Sequence, residues 1–145
     1  MFVYDHHLRV RYAETDQMSY VYYGNYAMYY DIARTEALRS LGISYKELED
    51  NGVMLPVLEN YSKYIKPAKY DDVLLIKVIL KELPGIKIRF EYELYREENI
   101  LINKGFSTLV FVDMETGRPM KAPESVIERF MQNFNVEASE EENNL

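Results

Sequence analysis

Hydrophobic and polar residues alternate with a period of two at the start of the chain and again through its second half. In residues 2–12 a mostly polar row alternates with a mostly apolar one. This period predicts β-strands that bury one face. Turns at residues 84–85 and 97–99 predict that the last three strands form antiparallel hairpins. The strands predicted in the second half are Val53 to Lys66, Asp72 to Leu83, Ile86 to Glu97 and Ile100 to Asp113.

A helical period lies between the first strand and the others. Asn25 is the predicted N-cap of one long helix, and Gly42 is its predicted C-terminal stop. The apolar residues that recur on one side of this helix are Tyr26, Tyr30, Ala33, Ala37 and Leu41. A short second helix is predicted over residues 44–50, with Ser44 as its cap. A terminal helix is predicted from Pro123 through Phe134.

The order of these elements predicts an α+β fold. One strand, one long helix and four antiparallel strands would form a sheet of about five strands that curls around the helix. A chain of 145 residues has the usual size of one compact domain. We therefore expect a single domain over residues 1–134. Residues 135–145 hold four glutamates and few apolar groups, which predicts a flexible acidic tail.

Composition and charge exclude several classes of protein. The net charge of −7 argues against a general nucleic-acid-binding protein, which needs a basic stripe for the phosphates. No apolar run approaches the roughly 20 residues that span a bilayer, so we expect no integral membrane association. The start of the chain lacks the basic and apolar regions of an export signal. The chain has no cysteine, which fits a reducing compartment, and we expect a cytoplasmic protein.

The sequence holds few groups that could catalyse a reaction. It has no cysteine, no GxSxG turn, no Walker loop and no HExxH spacing. The two histidines, His6 and His7, are adjacent and should point to opposite faces of the first strand, so they cannot bind one metal together. We therefore expect no metal and no added cofactor.

One segment combines an acid with the start of the long helix. Tyr23 and Gly24 lie at or just before the helix N-terminus, where unpaired backbone N–H groups and the helix dipole favour negative charge. Asp16 lies seven residues before Tyr23. Its carboxylate could attack a carbonyl carbon or activate a water molecule beside these amides. The spacing also permits a second interpretation, in which Asp16 only stabilises its own turn.

Several short motifs, in this segment and later in the chain, can be compared together with those of known families. They are Thr15-Asp16, Tyr22-Tyr23-Gly24-Asn25-Tyr26, Ala33-Arg34-Thr35-Glu36, Leu41-Gly42, Pro67-Ala68-Lys69-Tyr70-Asp71-Asp72 and Asp113-Met114-Glu115-Thr116-Gly117-Arg118-Pro119. The set resembles the signature of the YbgC-like and 4-hydroxybenzoyl-CoA thioesterase family of hotdog proteins. The resemblance implies a hotdog fold and hydrolysis of an acyl-CoA or an acyl carrier protein thioester. It also implies that Asp16 is the catalytic carboxylate and that the backbone amide at Tyr23 binds the thioester oxygen.

The resemblance further implies a homodimer or homotetramer with its site at the subunit interface. The chain departs from many family members at residues 17–20, where small residues are common, and at Tyr23, where many members have histidine. A backbone amide keeps its role after such a change. The shape of the acyl pocket is the property that these departures affect.

Candidate substrate contacts lie in two groups. Six tyrosines fall between Tyr20 and Tyr30, and those inside the helix are assigned to packing. The candidates that remain beside the acyl group are Tyr20, Tyr22 and Tyr23, together with Asn25. The cations considered for the coenzyme A phosphates are Lys87, Arg89, Arg118 and Lys121. For each of these four, solvated surface is the favoured interpretation, because exposed lysine and arginine side chains are usually only hydrated. Asp31 and Glu36 are alternative carboxylates, although pairing of Asp31 with Arg34 or Thr35 is expected.

Two mechanisms and two other functions stay open at this point. Asp16 could form a mixed anhydride or act as a general base towards water. A hotdog hydratase or dehydratase is disfavoured because that chemistry usually relies on an active-site histidine. A noncatalytic module that binds acyl-CoA is the more distant alternative.

Overall fold

The computed structural model describes the backbone of residues 1–143 and the side chains of residues 1–134. Its helices are α1 (Asn25–Ser40), α2 (Tyr45–Asp50) and α3 (Glu124–Asn143). Its strands are β1 (Phe2–Arg9), β2 (Val53–Met54), β3 (Val57–Tyr64), β4 (Val73–Leu80), β5 (Lys87–Arg96), β6 (Ile100–Val110) and β7 (Val112–Asp113). The predicted α+β class is therefore confirmed. None of the helices within residues 1–143 is both long and apolar enough to cross a membrane.

Five strands form one antiparallel sheet in the order β1-β4-β5-β6-β3. The predicted hairpins β4-β5 and β5-β6 lie at its centre. Alternate residues of β4 and β5 are buried, as the period of two requires. The two short strands β2 and β7 pair with each other in a separate small sheet.

Helix α1 packs on the inner face of the sheet. The rings of Tyr30 on the helix and Tyr92 on β5 stack with their centroids 4.1 Å apart. Beside them, the guanidinium of Arg34 donates hydrogen bonds to the hydroxyls of Tyr45 and Tyr92. The core is therefore built from one helix face and one sheet face. Within it, the hydroxyls of Tyr45 and Tyr92 are hydrogen-bonded to Arg34.

Two predicted strands are each divided in the structure. The strand expected over residues 53–66 is split into β2 and β3 around Pro56, whose ring removes the backbone N–H that a continuous ladder would use. The strand expected over residues 100–113 is split into β6 and β7 at Phe111, where the chain leaves the large sheet to pair with β2.

The helix ends differ in part from the predictions. Ser44 caps α2 as predicted, and its hydroxyl accepts a hydrogen bond from the Glu47 amide. The prediction that Asn25 caps α1 is wrong, because Gly24 occupies the cap position and makes no side-chain cap. Helix α3 extends to Asn143, beyond the predicted end at Phe134. The predicted acidic tail, residues 135–145, lies outside the residues whose side chains are described.

Candidate active site

The chain between β1 and α1 folds into a tight loop that presents Asp16. A single turn of 3-10 helix, Tyr12–Glu14, follows β1, and an antiparallel bridge from Thr15 to Val21 then closes the loop. At the loop tip, Ser19 has a φ of 66° in the left-handed region. A bridge from Tyr20 to Lys69 ties the loop to the segment before β4.

The two carboxylate oxygens of Asp16 have different surroundings. Oδ1 accepts hydrogen bonds from the backbone amides of Met18, at 2.8 Å, and Tyr20, at 3.3 Å. No residue that the structure describes donates a hydrogen bond to Oδ2. The turn interpretation and the catalytic interpretation of Asp16 are therefore compatible, because one oxygen holds the loop while the other stays available to a ligand.

The start of α1 leaves two amides without acceptors. The Tyr22 amide donates to the carbonyl of Glu14 at 2.9 Å, and the Asn25 amide donates to the carbonyl of Tyr22 at 2.9 Å. Between them, the amides of Tyr23 and Gly24 donate to no other group in the described part of the chain. Adjacent free N–H groups at a helix N-terminus favour a partial negative charge. This geometry suits the oxygen of a polarised carbonyl.

Asp16 and Tyr23 line one cleft of about 410 Å³. Its walls are the loop, the first turn of α1 and the chain that follows β3. The remaining lining residues are Tyr20, Val21, Tyr26, Tyr64, Ile65, Lys66 and Pro67. The ring of Tyr64 lies 5.4 Å from that of Tyr26 and 6.3 Å from that of Tyr23, both in edge-on contact. The cleft thus joins a carboxylate and a helix start to an aromatic wall.

Sequence reasoning missed part of this wall. Tyr26 was assigned to packing, and it is buried, yet it also lines the cleft. Burial raises the pKa of Tyr26, so its hydroxyl stays neutral in the physiological range. Tyr64 and Lys66 belong to a strand end that is remote in sequence. Only the tertiary fold brings these two residues close to Asp16. Their spacing in the sequence does not indicate that they share a cleft with it.

A second acid near Asp16 was also missed. Glu14 is only 6% exposed, and its carboxylate accepts hydrogen bonds from Arg11 and from the hydroxyl of Tyr29. Burial raises its pKa, but these hydrogen bonds outweigh that effect and hold the pKa of Glu14 below its usual value. Glu14 is therefore an anion inside the protein, two residues from Asp16.

The other predicted contacts lie at varying distances from the cleft. Tyr22 is half-exposed and packs on Tyr23, with 4.6 Å between ring centroids, but does not line the cleft. The Asn25 side chain donates to the carbonyl of Glu14 at 2.8 Å, which fastens the loop to the helix. Asp31 pairs with Arg34 at 3.0 Å, as expected.

The four predicted phosphate contacts do not line the cleft. Lys87 and Arg89 lie on the outer face of β5 and line a different cleft of about 470 Å³. The guanidinium of Arg89 lies 3.9 Å from the ring centroid of Phe106. Arg118 and Lys121 lie between β7 and α3. Their role in binding coenzyme A stays a prediction.

The remaining polar candidates also lie elsewhere. His6 and His7 are on β1, and His7 lines a separate pocket beside Tyr95. Neither histidine lines the Asp16 cleft. Within the described residues, no three histidine, cysteine, aspartate or glutamate side chains are placed to hold a metal ion.

Comparisons with known proteins give a consistent result. A model of the thioesterase-like superfamily matches residues 10–130. YneP of Bacillus subtilis is 33% identical over 114 residues, which are 79% of this chain and 83% of that protein. The acyl-CoA thioester hydrolase YbgC of Escherichia coli is 32% identical over 125 residues, 86% of this chain and 93% of its own. The solved structure of a DHNA-CoA thioesterase from Staphylococcus aureus has a TM-score of 0.84 at 26% identity, covering 100% of this chain and 97% of that one.

Proposed function

The chain belongs to the thioesterase-like superfamily, and we propose that it is an acyl-CoA thioesterase in which Asp16 is the catalytic carboxylate. It has the predicted hotdog fold and is a thioester hydrolase. The observation that best supports the role of Asp16 is that its open Oδ2 shares one cleft with the start of α1. At that helix start, the amides of Tyr23 and Gly24 find no acceptor among the described residues.

In this proposal the thioester carbonyl oxygen accepts hydrogen bonds from the amides of Tyr23 and Gly24. These donors stabilise the negative charge that develops on the oxygen when the acyl carbon is attacked. The carbon–sulfur bond then breaks, and one water molecule is consumed overall. Its oxygen enters the acyl group, which leaves as a free acid, and coenzyme A takes up a proton and leaves as a thiol. Oδ1 of Asp16 keeps its two hydrogen bonds, so the carboxylate stays oriented through the reaction.

Oδ2 of Asp16 can act in either of two ways. It can attack the acyl carbon to form a mixed anhydride that water then hydrolyses, or it can take a proton from a water molecule that attacks the acyl carbon directly. Repeated turnover in ¹⁸O-labelled water, followed by mass spectrometry of the peptide that contains Asp16, tests for the anhydride. Label in the carboxylate requires the anhydride route, with water attacking the carboxyl carbon of Asp16.

Asp16→Asn tests the assignment with little change in shape. The asparagine Oδ1 can still accept from Met18 and Tyr20, while an amide nitrogen replaces the reactive oxygen. We expect kcat on aliphatic and aryl acyl-CoA substrates to fall about 10²–10⁴-fold with an unchanged melting temperature. Thiol release can be followed with a thiol reagent because the chain has no cysteine to react with it.

Asp5→Asn is the matched control, because Asp5 is an exposed carboxylate on β1 that pairs with Lys77 and does not line the Asp16 cleft. It should retain full activity. An Asp16→Asn enzyme with wild-type kcat would refute the role of Asp16. A wild-type enzyme inactive on every acyl-CoA tested, and on acyl carrier protein thioesters, would refute the proposed activity.

We also propose that the chain forms a homodimer through β3. This strand is an edge of the sheet, so its outward backbone groups pair with no strand of the described chain. It carries exposed apolar side chains, among them Leu58 at 55% and Tyr64 at 52%. An exposed apolar edge strand favours pairing with another strand. Tyr64 also lines the Asp16 cleft, which places this edge beside the site.

A further inference from the structure

We propose that Glu14 is a positioning residue that fixes the Asp16 loop relative to the free amides at the start of α1. The inference rests on the proposed thioesterase function. Glu14 does not line the cleft, so it acts through the groups it holds rather than on the substrate.

The carboxylate of Glu14 joins the beginning of the loop to α1. Its Oε1 accepts from the backbone amide of Arg11 at 2.8 Å and from the hydroxyl of Tyr29 at 3.0 Å. Its Oε2 accepts from the guanidinium of Arg11, at 3.0 and 3.2 Å. Tyr29 is fully buried in the second turn of α1, so this hydrogen bond ties the loop to a rigid part of the helix.

The backbone carbonyl of Glu14 joins the end of the loop to the same point. It accepts from the amide of Tyr22 at 2.9 Å and from the side-chain amide of Asn25 at 2.8 Å. Tyr22 immediately precedes the two free amides, and Asp16 lies two residues after Glu14. One residue therefore holds both partners of the proposed site, the carboxylate on one side and the amides on the other.

An ionised carboxylate at this depth is unfavourable unless its partners are in place. An apolar residue could fill the same volume without that requirement. A glutamate, unlike an apolar residue, also fixes the orientation of the loop, because its four hydrogen bonds hold the loop in one position against α1. Catalysis depends on such orientation, and a displacement of about 1 Å can lower a rate by about 10²-fold.

Glu14→Gln and Tyr29→Phe test the proposal. The glutamine has the same shape, but its amide nitrogen cannot accept from the guanidinium of Arg11. Tyr29→Phe removes only the hydroxyl that reaches Glu14. In the full chain we expect Glu14→Gln to lower kcat about 10–100-fold, while KM for the acyl-CoA stays within about twofold.

The double variant separates positioning from general stability. If both residues act through one link, the loss of kcat in Glu14→Gln/Tyr29→Phe will be smaller than the product of the two single losses. Ile88→Val is the control, because it trims a buried side chain on β5 away from the cleft. It should lower the melting temperature and leave kcat unchanged.

The results distinguish this inference from the function on which it rests. If the wild type hydrolyses acyl-CoA but Glu14→Gln loses no more kcat than Ile88→Val, Glu14 has only a structural role and the inference is overturned. Multiplicative losses in the double variant overturn it as well, and Tyr29→Phe supplies a kcat test should Glu14→Gln not fold. An inactive wild type would instead refute the proposed function.

Discussion

Glu14 and Asp16 are two carboxylates in opposite environments. Glu14 is buried with both oxygens bonded, whereas Asp16 is exposed with one oxygen open. Neighbouring acids that differ in this way commonly serve different roles. Here the buried acid organises the loop and the exposed acid is proposed to perform the chemistry.

The environment of Glu14 predicts a pH-dependent stability. Burial raises its pKa, but the hydrogen bonds from Arg11 and Tyr29 outweigh burial and hold it below the usual 4.5. Ionised Glu14 therefore stabilises the fold above the pKa of the unfolded chain, and that contribution is lost as the pH falls through the lower folded pKa. At pH 7 we expect Glu14→Gln to lower the free energy of unfolding by about 1–3 kcal/mol. The difference should vanish at acid pH.

Urea denaturation of both proteins at a series of pH values measures this effect. Glu82→Gln changes an exposed acid between β4 and β5 and should leave the free energy of unfolding nearly unchanged throughout. A gap between wild type and Glu14→Gln that stayed constant from neutral to acid pH would mean that ionisation of Glu14 contributes nothing.

Single residues of the site were predictable to different degrees. Asp16, Tyr23 and Gly24 are close in sequence, and helix-terminus electrostatics with the family resemblance was enough to group them. Tyr64 and Lys66 were not found because their position depends on where β3 ends in three dimensions. Glu14 was not found because its burial depends on Tyr29, which lies 15 residues away.

Helix α1 packs closely against the sheet at Gly105 on β6. A Cβ at this position would overlap the hydroxyl of Tyr30 on the helix and the carbonyl of Tyr61 on β3. Gly105→Ala should therefore force the helix or the edge strand away from β6. We expect the free energy of unfolding to fall by about 1–3 kcal/mol, measured by urea denaturation.

Gly85→Ala provides the comparison for this substitution. Gly85 has open space around it, because no described residue other than its two chain neighbours has an atom within 4 Å of an added Cβ. The same change of residue type should leave stability nearly unaltered there. Equal losses at both positions would show that the close approach at Gly105 has no energetic consequence.

The helices and strands were largely predictable because their periods are clear. Alternation located the central strands, and a helical repeat located α1 to within one or two residues. The exceptions have local causes. Pro56 divides one predicted strand, and the pairing of β7 with β2 divides another. At the start of α1, the Asn25 side chain donates to the Glu14 carbonyl instead of capping the helix. The sequence alone does not distinguish these two roles of an asparagine.

The subunit presents two sheet edges, β1 and β3, and the proposed dimer uses the second. Leu58→Glu places a charge on β3 outside the lining of the Asp16 cleft. A charge buried in a strand-to-strand interface is unfavourable, so we expect the dimer dissociation constant to rise at least about tenfold. Analytical ultracentrifugation over a range of concentrations measures it.

Leu83→Glu is the control for that experiment, because Leu83 is also an exposed leucine but lies between β4 and β5. The dimer dissociation constant of Leu83→Glu should equal that of the wild type. Dimers of equal affinity in wild type and Leu58→Glu would exclude β3 as the interface. Because Tyr64 belongs to both β3 and the cleft, dissociation should also lower thioesterase activity.

The Asp16 cleft is assembled from two stretches of chain that are far apart in sequence. Residues 16–26 supply the carboxylate, the free amides and half of the wall, while residues 64–67 supply the other half. We therefore expect substitutions at residues 65–67, beyond the end of β3, to change which acyl groups the cleft admits while the residues proposed to react stay the same. Acyl preference and hydrolysis would then be separately adjustable properties of one cleft.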